Sequence, residues 1–366
     1  MGIDNAPLGT TEIYEIGTDH ASHGMSERAK RPSTMNPYQE LTLYQKPAVL
    51  MAAANLGLFT ALADGSVTPA EAAQRVAAPV DTVTRLLVAL AALDYVSKDG
   101  ERFALNDFSK AFLHAGAGGM ARLAWKEHLF YTAWGRLGEA ISTGRALFPS
   151  YSDRLANDFP SVEKFLLALN DLAEMGAGGV IGTGAFQGAA TILDLGGGGG
   201  GYSAALAHAL PSARVTLADL PEILPIAEGY FAEKGLSGRV ELVPADFLRE
   251  DCELGARAFD CVFLSHILHD FDAPAAAGIV ARAARLVRGG KLVVLDVLAP
   301  EGGHGNPIEA LFDLMMLVEV PGGRTHGISD VSKWMESAGM LSPKSYKLYF
   351  GILLESLATG GLSGGS

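Results

Sequence analysis

The chain has 366 residues, 49 % hydrophobic and 19 % charged, a composition that supports a large buried core and excludes global disorder. Its 28 Lys and Arg against 41 Asp and Glu leave a net charge of −13, which argues against an extended nucleic-acid surface built from clustered cations. Two cysteines, Cys252 and Cys261, are too few for a disulfide framework or a zinc site, and no stretch reaches the roughly 18 uninterrupted apolar residues of a membrane span. The polar N-terminus lacks the apolar core of a signal peptide, so a soluble, cytoplasmic protein without membrane or nucleic-acid partners is expected.

Residues 1–34 are polar and without apolar periodicity, which predicts a flexible tail. Leu41, Tyr44, Ala48, Met51 and Ala52 recur at helical spacing and predict a helix over 38–57. Thr68-Pro-Ala-Glu and Asp81-Thr-Val-Thr each supply a helix start. The segment from Tyr95 to Leu105 predicts a β-ribbon that turns at Asp99-Gly100. Helices followed by a hairpin make a winged-helix-like unit over 35–119, and this order admits a DNA-binding regulator as a second class of function. Its recognition helix would run from Asp81 to Leu93 with one basic residue, Arg85, amid Leu86, Leu87, Val88, Leu90 and Leu93. So apolar a helix favours packing against protein, and a dimerisation unit is the reading taken. Linker helices are expected over 120–180. They carry Trp125, Phe130, Tyr131 and Trp134, which would line an acceptor pocket or, at the helical spacing of Phe130 and Trp134, form a core stripe.

The catalytic unit is expected over 181–357, with 358–366 a glycine-rich flexible end. It opens with the most informative stretch of the chain, an apolar strand from Thr191 to Leu195, six glycines from Gly196 to Gly201, and an apolar helix from Tyr202 to Leu210. Glycine takes φ > 0 at no steric cost, and its missing Cβ lets a ligand approach bare main-chain N–H groups. A second strand, Val215 to Ala218, ends at Asp219, whose carboxylate suits two ribose hydroxyls. A third, Val240 to Val243, leads into Ala245-Asp246-Phe247, a carboxylate and a ring suited to an adenine. A fourth, Ala258 to Leu264, leads into Ser265-His266-Ile267-Leu268-His269-Asp270-Phe271. Four strand ends thereby converge on one edge of a parallel sheet, where ligands bind. Cys261 falls inside the fourth strand and reads as a core residue. Lys344 to Leu348 and Gly351 to Leu354 predict a closing antiparallel edge hairpin.

Asp194 before the glycine turn, Asp219 and Ala245-Asp246-Phe247 together resemble the class I S-adenosylmethionine (SAM) methyltransferases. The closer resemblance is to the plant-type and bacterial small-molecule O-methyltransferases. It is carried by Asp-Leu-Pro at 219–221, His-Asp-Phe at 269–271, Arg-Gly-Gly-Lys-Leu at 288–292 and Pro-Gly-Gly-Arg-Thr at 321–325, and covers roughly residues 38–356. The resemblance implies an α/β fold, a doubly wound Rossmann-like sheet with an N-terminal helical winged-helix-like dimerisation domain. It also implies a homodimer that acts on small molecules of secondary metabolism with SAM as methyl donor and S-adenosylhomocysteine as product. Carried over residue by residue, Asp194, Gly196, Gly198, Asp219, Leu220, Asp246, Phe247, Ser265 and Phe271 would hold the cofactor, with His269 the catalytic base and Asp296 its acidic partner.

The chain departs from the family where the base is supported. Asp296 stands one methylene shorter than the usual Glu, and Gly323 occupies the place of the second acidic partner. Val320 replaces an Asn that contacts phenolic acceptors, and Ser265 replaces a Lys before the His-Asp pair. Glu319 and His326 stand nearby as substitutes for the missing acid. Acceptor contacts are therefore sought among His266, Met316, Glu319, Arg324 and His326 as well as the four aromatics. Two main chemistries stay open. His269 deprotonates a hydroxyl of an aromatic or polyketide-like metabolite, or a thioether hydroxy acid (or an enol carbon) accepts the methyl without a base, Arg324 then pairing with the substrate carboxylate. SAM-dependent elimination or cyclisation without transfer is a further alternative. No metal site is expected, since His269, Asp270 and His326 would form one only by a geometry that sequence does not show.

Overall fold

A computed structural model describes residues 14–15, 37–113, 119–249, 254, 257–303 and 307–359. The predicted tails at 1–34 and 358–366 lie outside the described residues, apart from Tyr14 and Glu15 and from Ala358 and Thr359. The described strands are β1 (Tyr14–Glu15), β2 (Val96–Asp99), β3 (Arg102–Leu105), β4 (Thr191–Leu195), β5 (Arg214–Asp219), β6 (Val240–Pro244), β7 (Phe259–Ser265), β8 (Val287–Asp296), β9 (Lys344–Leu348) and β10 (Gly351–Leu357). Two compact units divide the chain, one of residues 18–132 and one of residues 1–17 with 133–366. The first boundary thus falls inside the helix Ala121–Trp134 rather than ahead of it.

The unit 18–132 packs Leu58, Phe59, Leu62, Leu87, Leu90 and Phe103 into a core of its own. The helix expected over 38–57 is two helices, Pro37–Leu41 and Gln45–Asn55. Pro47 has no N–H to offer a carbonyl four residues back, so it is tolerated in the first turn of a new helix and would break a continuous one. Thr68 and Glu71 form the expected capping box. The next helix begins one residue before Asp81, at Val80, because the fixed φ of Pro79 suits the cap position. It buries Val83, Leu87 and Leu90, while Arg85 pairs with Asp81 at 2.9 Å on the exposed side. Asp99 pairs with Arg102, so the ribbon turns at Gly100-Glu101, one residue later than expected, and Gly100 supplies the positive φ of +56°.

The larger unit is a doubly wound sheet in the order β1-β9-β10-β8-β7-β4-β5-β6. From β6 to β8 the strands are parallel, and β10, β9 and β1 extend it antiparallel. The closing hairpin is as expected but is not the outermost edge, since Tyr14–Glu15 pairs with β9. Ile192 on β4 faces one apolar layer and Leu193 and Leu195 the other, the two-sided burial of a parallel strand covered by helices on both faces. Chain order reverses at β4, which has β5 on one side and β7 on the other, and a crevice opens at such a switch point beyond the strand ends. Cys261 is fully buried in β7, where burial pushes its thiol up to about 12, so it packs rather than reacts. The helix Phe159–Gly182 is long and apolar enough to cross a membrane by length and composition alone, but it packs Ala173, Ala177 and Val180 into the sheet's core.

Candidate active site

The glycine turn closes over the end of β4 with Gly196 at φ +76° and Gly198 at φ +54°, conformations that favour glycine. A Cβ at Gly196 would meet Ile267 Cδ1 at 2.7 Å and Phe247 at 3.1 Å, so the loops after β4, β6 and β7 converge on this one backbone atom. A Cβ at Gly200 would instead strike Phe231 at 2.6 Å, and one at Gly201 would strike Ala173 at 2.7 Å. Every glycine of the run except Gly198 is therefore set by close packing against protein. Asn170, on the helix Phe159–Gly182, clips the turn by donating Nδ2–H to Gly199 O at 2.7 Å and accepting from Gly201 N at 3.0 Å. No local pattern marks Asn170, because it lies 29 residues from Gly199 on another element.

Asp219 ends β5 with its carboxylate accepting from the N–H of Gly198 at 2.8 Å and of Leu220 at 2.7 Å. Burial raises it to about 6 against those two hydrogen bonds, leaving it mainly ionised at neutral pH. Asp194 lies beneath the turn, where Ser203 donates to Oδ2 at 2.7 Å, while Oδ1 is buried with no partner among the described residues. Burial lifts Asp194 to about 7, with Ser203 opposing. Half-buried Asp246 holds its own loop by accepting from Leu248 N at 3.0 Å. Phe247 and Phe271 both pack on the apolar layer that contains Leu193 and Leu195, and Ser265 closes β7 opposite Leu295.

His269 stands in a single helical turn, Leu268–Asp270, just after β7. Its Nδ1 is 2.5 Å from Asp296 Oδ1 at the end of β8. Asp296 also accepts from the N–H groups of Leu268 at 3.0 Å, His269 at 3.3 Å and Val297 at 2.7 Å. Burial works against its charge, but the His269 imidazole, the nearby His266 and the Val297 N–H outweigh that and hold the carboxyl below the usual range. Burial likewise disfavours a charged His269, yet Asp296, Asp270 and Glu319 together push the imidazole up to about 9. When the ring is neutral, an ionised Asp296 keeps its one proton on Nδ1 and leaves Nε2 as the accepting atom. Phe312 meets the ring edge-on with centroids 5.0 Å apart.

His266 has an uncommon φ of +54°, stacks on Tyr202 at 6.3 Å and lies 6.0 Å from His269. Burial, reinforced by His269, lowers it to about 4, so it is neutral at physiological pH. Atoms of His266, His269 and Asp296 lie within 4.8 Å of one another. That spacing would suit a metal, but His269 and Asp296 are already hydrogen-bonded to each other.

Several of the expected acceptor contacts take other positions. His326 is buried with Nε2 2.9 Å from Leu268 O and 3.1 Å from Phe271 O, and its ring packs edge-on against Trp334. It is a strut for the His269 loop and not a substitute for the missing acid. Arg324 is exposed, and what it contributes is its N–H, which donates to His269 O at 2.8 Å. At Gly323 a Cβ would meet Val320 at 2.8 Å and His269 O at 3.1 Å, so this loop leaves little room for a side chain there. Glu319 and Met316 are buried on the helix Pro307–Glu319. Trp125, Phe130 and Tyr131 belong to the unit 18–132, where Lys126 sits 4.7 Å over the buried Phe130 ring and Tyr131 stacks on His128, while Trp134 lies in the larger unit. Tyr151 and Arg154, on the helix Tyr151–Asn157, come to the site without any sequence signal. Burial raises the Tyr151 phenol, and Asp219 and Asp270 add to it.

An O-methyltransferase domain description matches residues 134–341, more than half of the chain, and an O-methyltransferase dimerisation domain matches residues 39–115. The chain belongs to the O-methyltransferase family. Among curated relatives, the mitomycin biosynthesis 6-O-methyltransferase of Streptomyces lavendulae is 30 % identical over 88 % of this chain and 93 % of its own length. The 3-amino-4-hydroxybenzoate 4-O-methyltransferase of Streptomyces cremeus is 32 % identical over 81 % and 82 %. A solved O-methyltransferase family protein from Burkholderia thailandensis superposes with a TM-score of 0.79 at 27 % identity, covering 89 % of this chain and 99 % of that one.

This O-methyltransferase is an enzyme whose methyl donor is SAM. Its residues fit that cofactor. The orphaned Oδ1 of Asp194 needs a hydrogen-bond partner, and a Cβ at Gly198 would meet only Leu166, at 3.5 Å. Asp219 remains ionised at the crevice with lone pairs beyond its two backbone bonds. Asp219→Ala is expected to weaken SAM binding about tenfold or more, the loss of a charge-assisted hydrogen bond pair. Isothermal titration that returned an unchanged affinity would overturn the assignment.

Proposed function

We propose that the protein transfers a methyl group to a hydroxyl of a small aromatic metabolite, with His269 Nε2 as general base and Asp296 as its orienting partner. The 2.5 Å contact between His269 Nδ1 and Asp296 Oδ1, at the sheet's switch point, carries this reading. A phenol has a pKa of about 10 and gives up its proton more readily to a positioned acceptor, and the neutral form of an imidazole backed by a carboxylate is such an acceptor. Bound SAM supplies a methyl already activated on a sulfonium, so the chain's own work is to align the acceptor, exclude water and receive the hydroxyl proton on Nε2. Asp219, Asp246 and the backbone at Gly196 and Gly198 are assigned to the cofactor, with Phe247 and Phe271 beside its base. The relatives' names, two of them O-methyltransferases of antibiotic or aminohydroxybenzoate chemistry, support a role in secondary metabolism. Transfer to a thioether or carbon would leave the His269–Asp296 pair without a task. The protein would act as a cytoplasmic homodimer, associated through residues 39–115.

Mass spectrometry of a host metabolite extract incubated with the enzyme and methyl-labelled SAM tests the reading. A labelled neutral product whose methyl is lost on demethylation of an aryl ether is the expected result. A permanently charged product would overturn it in favour of sulfonium formation.

A further inference from the structure

The guanidinium of Arg154 comes to the crevice, and proton transfer does not use it. Arg154 lies in the larger unit with a side chain only 17 % exposed. Its guanidinium carbon stands 5.9, 5.6 and 5.8 Å from the ring centroids of Phe148, Tyr151 and Phe165. Nη1 is 3.6 Å from Glu319 Oε1, near enough for attraction but beyond a hydrogen bond, and the buried Nε finds no acceptor among the described residues. An unsatisfied buried donor is destabilising, and Arg carries five N–H groups in a planar fork that matches a carboxylate. Glu319 stands 3.6 Å from Nη1 of that fork.

The position of Arg154 relative to the base follows from the helix Pro307–Glu319. Glu319, Met316 and Phe312 are spaced three and four residues apart and share one face. Phe312 touches the His269 ring at one end and Glu319 touches Arg154 at the other. Seven residues of helix rise about 10 Å, the length of a fused two-ring aromatic with polar groups at its two ends. The charge of Arg154 also reaches Asp270, next to the base, where it opposes the upward push of burial.

We infer that Arg154 is the specificity anchor for an acceptor carboxylate, the guanidinium fork holding one end of an aromatic hydroxy acid whose hydroxyl lies at His269. This rests on the reading of hydroxyl transfer to an aromatic acceptor. It also replaces Arg324, which the sequence offered as the carboxylate partner and which is exposed.

The test is calorimetric titration of the enzyme saturated with S-adenosylhomocysteine, using 6-hydroxy-2-naphthoate and its neutral carboxamide as probes. Wild-type protein is expected to bind the acid at least about tenfold more tightly than the amide, the scale of a charge-assisted hydrogen bond pair. Arg154→Gln should erase that preference and Arg154→Lys should keep part of it, with affinity for S-adenosylhomocysteine unchanged in both. Equal wild-type affinity for the two probes, including binding of neither, overturns the inference without recourse to any variant. A Gln variant that folds by circular dichroism but loses S-adenosylhomocysteine would assign Arg154 to the cofactor's own carboxylate, which also overturns it. Failure of the hydroxyl-transfer reading would show in the labelled product and leave this binding preference in place.

Discussion

Replacement of His269 by alanine is expected to lower kcat for hydroxyl transfer by about 100-fold or more, the usual contribution of a positioned general base. SAM affinity should stay within about threefold, because Asp219, Asp246 and the glycine turn lie on other loops, the N–H of Phe271 is held by Leu268 O at 3.1 Å whatever the side chain at 269, and His269 contributes no binding energy common to ground and transition states. Rapid-quench turnover with saturating SAM, alongside calorimetry, separates the two effects. A kcat loss below about threefold would remove the base from the mechanism, since proton transfer contributes far more than that when it is catalysed. The hydrogen bond from Arg324 N to His269 O and the two accepted by Asp296 from Leu268 N and His269 N hold the loop through its backbone. The alanine variant should therefore fold and bind cofactor, and its loss should reside in the chemical step.

Removing the acidic partner should move the base's titration strongly downward. His269 in the free protein is expected to titrate near 9, with burial opposed and outweighed by Asp296, Asp270 and Glu319. In Asp296→Asn burial stays while the principal favourable charge is lost, so the imidazole should titrate about two units or more lower, towards or below its ordinary 6.5. Histidine ring-proton NMR measures this directly, and a value still near 9 in the variant would refute the assignment. The sign for activity follows. A base must be neutral, so in the free enzyme kcat/KM should climb with pH and level off near 9, whereas Asp296→Asn should level off earlier at a much lower plateau because the ring loses its tautomer and orientation. The sign for stability is opposite. A raised folded-state pKa means that the ion pair's stabilisation is complete below about 6.5 and is lost as pH rises through about 9. Activity and stability should therefore trade against each other across that window.

Much of this was legible in the order of residues. The alternation of apolar strands and helices, the glycines after β4 and the acids after β5 and β6 are local patterns, and each fell on the element expected of it. Asp296 was legible as the partner of His269 only through resemblance, and the structure brings its carboxylate against Nδ1. The difficulties began where one residue's role depends on a neighbour distant in sequence. His326 was read as a substitute for the missing acid, whereas its Nε2 lies between two carbonyls of the His269 loop. Arg324 follows a paired glycine in a motif, yet its side chain is exposed, because the backbone N–H is what that loop directs at His269.

The sequence by itself determined the doubly wound fold and the glycine turn at its switch point, because strand periodicity and glycine conformation are written within a few consecutive residues. The tertiary structure alone decided which side chains finish the site. Asn170 on Gly199, Phe312 on His269 and Arg154 beside Glu319 are meetings between elements tens or more residues apart. Helical spacing says which residues share a face but not which face looks inward. Only the packing of the helices Tyr151–Asn157, Phe159–Gly182 and Pro307–Glu319 against one sheet end settles that.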